Sequence, residues 1–348
     1  MWKKIIDYYK IPEAAKEPST DSARFKKIRL ISFLTATLGY GMYYVCRLSM
    51  NVIRKPMVDD GVFTETEIGI IGSCLFFTYA IGKFCNGFIA DRSNVKKLMS
   101  TGLLISALIN LALGFTNSFI VFAVLWGING YFQSMGAASG VVSLSRWFDA
   151  SNRGTYYGYW SASHNLGEAI TFISIAILAT NFGWRYGLIG AGLIGIAYFF
   201  IMQWLMKDTP QKYGYLLEDA TSKKEEKNKA DFNASQKTVL CSPAIWILAL
   251  ASAFMYISRY AVNSWGVFYL ETMKGYSTLD ASFIISISSV CGIVGTVASG
   301  LISDKLFKGS RNIPALVFGL MNVLALCLFL LVPGVHFYID VIAMVLFG

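Results

Sequence analysis

The chain has 348 residues, of which 55% are hydrophobic and only 15% charged, with a mean hydropathy of +0.52 and a formal net charge of +9. Apolar runs of about 20 residues, the length that crosses a hydrocarbon core, recur along it and define an all-α polytopic membrane protein. Their continuity excludes a β-barrel, whose strands alternate apolar and polar residues, and the uneven placement of the cations makes the positive charge a topology signal rather than a nucleic-acid footprint.

Residues 1–28 form an N-terminal segment with no apolar core of signal-peptide length, so the N-terminus is expected to stay in the cytoplasm. Spans are predicted near 29–53, 67–90, 98–117, 119–145, 154–180, 184–206, 243–271, 280–303 and 312–333. A tenth begins near Phe337 and is expected to be cut short at Gly348, the second half being incomplete. Lys and Arg concentrate before the first span and after the second, fourth, sixth and eighth. The other loops hold only Arg54, Lys55, Arg185 and Lys274. That asymmetry is the positive-inside pattern and places a multi-pass chain in a plasma membrane, a bacterial inner membrane in particular. Three cations remain inside spans: Arg47, Lys83 and Arg259.

The one long polar stretch, residues 207–242, follows six spans. It separates an N-terminal bundle over 29–206 from a C-terminal bundle over 243–348. The loop GFIADRSNVKK from Gly87 returns as GLISDKLFKGSRN from Gly300, 213 residues later. In the first span YVCRLSMN from Tyr44 returns as YISRYAVN from Tyr256, 212 residues later. Two landmarks agreeing within one residue indicate a duplicated six-helix unit, with Arg47 and Arg259 as mates. Lys83 has no mate. The six cysteines contain no C-x-x-C pair and read as small packing residues, so neither a metal site nor a cofactor is expected.

Helical spacing aligns each intramembrane ion with polar neighbours. The stripes are Tyr40, Tyr44, Arg47 and Asn51; Tyr79, Lys83 and Asn86; Tyr157, Ser161, His164 and Glu168; and Ser252, Tyr256, Arg259 and Asn263. A charge at a span centre costs about 2.5–3.5 kcal/mol on insertion scales, so these stripes are expected to line a polar cavity. Glu168 is the one carboxylate predicted deep in a span, and it cannot neutralise three cations. A phosphate dianion supplies the missing charge best, since guanidinium donors match a pair of phosphate oxygens. Arg47 and Arg259 are therefore the expected clamp. Lys83 either holds the substrate or neutralises Glu168. Tyr44, Tyr256, Tyr40 and Tyr79 either contact the organic part of the substrate or simply pack. A lone polar residue such as His164 is more often a helix-to-helix hydrogen bond than a ligand contact.

Further motifs carry a resemblance. RGTYYGYWSASHNLGE (Arg153–Glu168), the G-Y-x-x-Y-Y-x-x-R from Gly39, the Y-x-x-x-K from Tyr79 and the D-T-P-Q from Asp208 resemble the organophosphate:phosphate antiporter family of the major facilitator superfamily. The chain departs from the family signature at Ser161, where the family has Asn, and at Glu168, where it has a small residue. The resemblance implies two pseudo-symmetric six-helix halves and a carrier, not an enzyme. Such a carrier exchanges hexose phosphate or glycerol 3-phosphate for inorganic phosphate by alternating access, with the histidine joining the phosphate site. A monomer without nucleic-acid partners is expected. Two other readings use the same residues: a sugar-phosphate receptor signalling to a membrane histidine kinase, and a proton-coupled organic anion importer using Glu168. Asp91, Arg92, Asp304 and Lys305 are expected either to anchor the helix ends or to form ion pairs that break and re-form during rocking.

Overall fold

A computed structural model describes residues 7–15, 21–215, 241–305 and 312–348. Ten long helices carry the fold among them: α1 (Ser22–Asp59), α2 (Glu65–Arg92), α3 (Val95–Leu113), α4 (Phe119–Trp147), α5 (Ala150–Phe182), α6 (Trp184–Leu205), α7 (Pro243–Tyr269), α8 (Thr278–Lys305), α9 (Asn312–Leu331) and α10 (Phe337–Phe347). Each predicted span has its helix. The central stretch beyond Tyr215 and the loop at 306–311 lie outside the described residues.

Local chemistry starts and stops these helices. Asp21 caps α1 by accepting from the Arg24 amide at 2.9 Å, and Thr64 and Glu67 form a reciprocal capping box on α2. Pro243 opens α7, where no intrahelical donor is needed. After Tyr269 that helix widens into a π-helical turn, Leu270–Lys274, and stops at Gly275 with φ 85°.

Seven helices, α2 to α8, are long and apolar enough to cross a membrane. Although α1 is longer, it is more polar, because its buried face carries Ser32, Thr35, Arg47, Ser49, Asn51 and Arg54. Outward faces are apolar: Phe77, Phe84 and Trp204 are exposed among similar neighbours, as a lipid-facing surface requires.

Small residues set the packing inside the first unit. A Cβ on Gly130 of α4 would lie 2.3 Å from the Leu75 carbonyl oxygen of α2. One on Gly167 of α5 would lie 2.5 Å from the Gly41 carbonyl oxygen of α1. Without a hydrophobic drive between helices in lipid, such close approach supplies the dispersion contact that holds them. The two units meet through α5 on α8 and α1 on α7. At the end away from the N-terminus, Ile53, Met57 and Ile71 of the first unit share one core with Val262, Leu270 and Ile284 of the second. Toward the other, basic end α7 is exposed from Ala251 to Ile257, whereas Val262, Asn263 and Ser264 are buried. The contact between the two bundles is therefore closed at the end away from the N-terminus, while α7 is bared toward the basic end.

At the basic end the polar knot is Arg146 with Asp208. Arg146 donates to the carbonyls of Ala90, Asp91 and Ser93, closing the end of α2. Asp208 accepts from the Val95 amide at 2.6 Å and caps α3, and the two side chains pair at 3.2 Å. Burial pushes the Asp208 carboxyl up from its ordinary range, with Arg146 opposing. Asp91 and Arg92, expected either to anchor the helix ends or to form ion pairs, are exposed, and Asp91 contributes its backbone carbonyl to the knot. The side chains of Asp304 and Lys305 lie outside the described residues.

Candidate functional site

The Gly41–Gly167 contact lays the polar stripe of α1 against that of α5. Tyr40 stacks on Trp160 with ring centroids 4.6 Å apart, and the Tyr44 ring lies 5.8 Å from His164. Arg47, one turn further, is 6% exposed. Its guanidinium sits 4.2 Å from the Tyr79 ring centroid, 5.6 Å from Tyr260 and 5.8 Å from both Tyr44 and Phe76. No carboxylate lies within ion-pair distance of it among the described residues, and its Nη2 has no hydrogen-bond partner. An aromatic cage thus holds the cation by its ring faces while leaving donor capacity free.

Arg259 is placed differently. It donates to Asn165 Oδ1 at 2.9 Å and pairs with Glu168 at 3.5 Å. The Glu168 carboxylate also accepts from Asn263 Nδ2 and Ser289 Oγ, each at 3.1 Å. Asn51, 212 positions before Asn263, donates through Nδ2 to the Asn263 carbonyl at 3.1 Å, so two polar residues of the matching segments touch. A cavity of about 270 Å³ is lined by Asn165, Glu168, Tyr256, Arg259, Asn263 and Ser289 among others. Arg47 borders it indirectly: its cage partner Tyr260 stacks on Tyr256, centroids 5.9 Å apart.

The structure thus places Glu168, Tyr256 and Arg259 on the cavity and joins Tyr40, Tyr44, Arg47, Tyr79 and His164 in a neighbouring chain of ring contacts. Lys83 is set apart. It is exposed, its ammonium lies 5.1 Å from the Tyr79 centroid, and it shares a groove between α2 and α4 with Asp91. Neutralising Glu168 falls to Arg259 instead, because α5 packs on α8 and its side chains reach Arg259 and Asn263 of α7, whereas α2 packs on α4. Asn86, grouped with Lys83 by spacing, bonds Ser134 at 2.7 Å and serves the α2–α4 contact.

Several buried ions were not evident in the sequence. Arg54 was assigned to a loop, yet α1 runs past it; it is 2% exposed and stacks over Trp265 at 4.3 Å. Lys274, also assigned to a loop, pairs with the fully buried Asp340 at 2.5 Å, and Tyr276 donates to the same carboxylate at 2.7 Å. Asp340 and the buried Glu271 mean that Glu168 is not alone among carboxylates within the bundle. The available signal was Asp340 itself, an acid within the apolar segment FYIDVIAMVLF.

Comparison with known proteins agrees with this architecture. The sequence profile of the Major Facilitator Superfamily matches residues 30–348. The chain is 32% identical to the membrane sensor protein UhpC of Salmonella typhimurium, over 85% of this chain and 69% of that protein. It is 33% identical to a probable hexose phosphate transport protein of Chlamydia muridarum, over 92% of this chain and 74% of the relative. Among solved structures, an inward-facing, unoccupied bacterial homologue of the human lysosomal transporter Spinster superposes with TM-score 0.74 at 18% identity, covering 92% of this chain and 73% of the other.

Proposed function

The chain belongs to the Major Facilitator Superfamily and, within it, to the organophosphate:phosphate antiporter family, a multi-pass membrane protein and not an enzyme; from that premise we propose that it exchanges a phosphorylated organic anion for inorganic phosphate. The observation that carries the reading is Arg47: a buried guanidinium with a symmetry mate, no carboxylate partner among the described residues and an unused donor. A buried cation without a counter-ion is costly, and a phosphate dianion shared with Arg259 offsets that cost on arrival. Hexose phosphate and glycerol 3-phosphate are the substrate class this reading favours. The tyrosines face the organic part and His164 stands beside Tyr44 at the edge of the phosphate position.

Alternating access is the cycle that goes with this reading. The two units each supply one arginine, and a ligand bridging them favours the state in which both reach it. With the N-terminus cytoplasmic in a bacterial inner membrane, the basic end, where α7 is bared, is the inward one. Counter-flow of labelled phosphate in liposomes carrying the protein tests the proposal. Arg47→Lys and Arg259→Lys should each abolish exchange, because an ammonium replaces a two-pronged donor. Exchange retained in both variants would reject the assignment.

A second reading is favoured by the 32% identity to a protein named as a membrane sensor. A receptor using the same arginines would bind the organophosphate and signal to a membrane histidine kinase. Substrate binding without flux in the same liposomes would decide for it.

A further inference from the structure

Glu168 stands where the family signature has a small residue, and its carboxylate has a built seat. Oε1 accepts from Asn263 Nδ2, Oε2 accepts from Ser289 Oγ, and Arg259 Nη2 lies 3.5 Å from Oε2. The side chain is 4% exposed, at the wall of the 270 Å³ cavity. All three donors belong to α7 and α8, in the second unit; the carboxylate comes from α5, in the first. A carboxylate and a phosphoryl group are both acceptors with paired oxygens, so donors that suit one suit the other.

We infer that Glu168 is a tethered counter-anion: in the conformation seen here its carboxylate occupies the second unit's half of the anion site, and a phosphoryl group takes those donors only by displacing it. The inference rests on the proposal that Arg259 helps hold phosphate. It explains why the mates Arg47 and Arg259 differ so much in setting, one caged by rings and the other already paired. It also sets the charge of the site. Two guanidinium groups and one carboxylate leave a single positive charge, which under-matches a phosphate dianion until Glu168 gives up its donors. A competitor attached to the site acts at a high effective concentration and weakens every anion that binds there. The tether would also hasten release, since the donors have an alternative partner as the anion leaves, and it links the units at the place where the substrate would bridge them.

The test is calorimetric titration of the purified full chain with inorganic phosphate. Glu168→Gln keeps the shape and removes the charge; it should bind phosphate about tenfold more tightly than the unchanged chain, equivalent to about 1.4 kcal/mol. Glu168→Gly, which restores a small residue, should do the same. Glu168→Asp, one methylene shorter, should fall between. In liposomes the tighter binders should exchange more slowly, as release becomes limiting. Unchanged or weaker phosphate binding in folded Glu168→Gln and Glu168→Gly would overturn the inference. Failure of both to fold, read by thermal unfolding, would overturn it as well and make Glu168 a structural residue. If the unchanged chain binds neither phosphate nor any organophosphate, the phosphate site itself has failed, and that result comes from the unchanged chain alone.

Discussion

Arg47 shows how one residue can be legible in type and illegible in setting. Its presence in an apolar run signals a cavity, because an insertion cost of a few kcal/mol must be recovered somewhere. Its symmetry mate was visible too, since the flanking YVCRLSMN repeats as YISRYAVN. What the sequence did not disclose is the cage, because Phe76 and Tyr79 come from α2 and Tyr260 from α7, and only packing brings three helices to one guanidinium. Ring faces attract a desolvated cation by up to about 2 kcal/mol without consuming its donors. Tyr79, at 4.2 Å, has the shortest of these contacts. Tyr79→Phe should keep phosphate affinity within about twofold, whereas Tyr79→Leu should weaken it several-fold by letting the guanidinium leave its position. Equal affinities for the two variants would show that the ring face does not hold Arg47.

At the scale of elements, helix number and order follow from apolar run length, and the ten helices fall on the ten predicted runs. Their ends were less legible. α1 continues to Asp59 through Pro56, which carries Arg54 and Lys55 from a supposed loop into a helix. The helix pairing is governed by small residues whose partners are remote in sequence. Gly41 and Gly167 are 126 positions apart, and nothing in either segment names the other. The contact nevertheless decides the site, because it sets Tyr44 against His164 and brings the α5 stripe beside Arg47. Gly167→Val should force α5 away from α1, costing about 1–3 kcal/mol of stability. A lowered melting temperature in detergent together with loss of phosphate binding is the expected result; an unchanged melting temperature would mean the helices do not approach as closely as described.

For the whole molecule, the two ends of the contact between α1 and α7 differ in burial. Asn51 and Asn263 touch, an apolar core seals one side, and α7 is bared on the other. Alternating access predicts that phosphate changes which end can be reached. In a background without native cysteines, Tyr256→Cys on the exposed stretch should react readily with a water-soluble maleimide and Val267→Cys in the sealed core should not. Saturating phosphate in a transport-competent chain should slow the first reaction and speed the second. Rates indifferent to phosphate would argue for a static receptor or a fixed conformation.

By itself the sequence determined the class of the molecule and pointed to an anion as its ligand. Apolar run length is set by bilayer thickness, cation placement by insertion, and an arginine pair at a repeat interval by the need for a shared anion. Those are local or periodic properties, and a chain carries them on its face. Tertiary structure decided which ions pair with which. It gave Glu168 to Arg259, set Lys83 apart in the α2–α4 groove, caged Arg47 in rings and buried Asp340 with Lys274. In a low-dielectric interior each such pairing depends on distances of a few ångströms between helices, and those distances are fixed by side-chain packing across residues far apart in the chain.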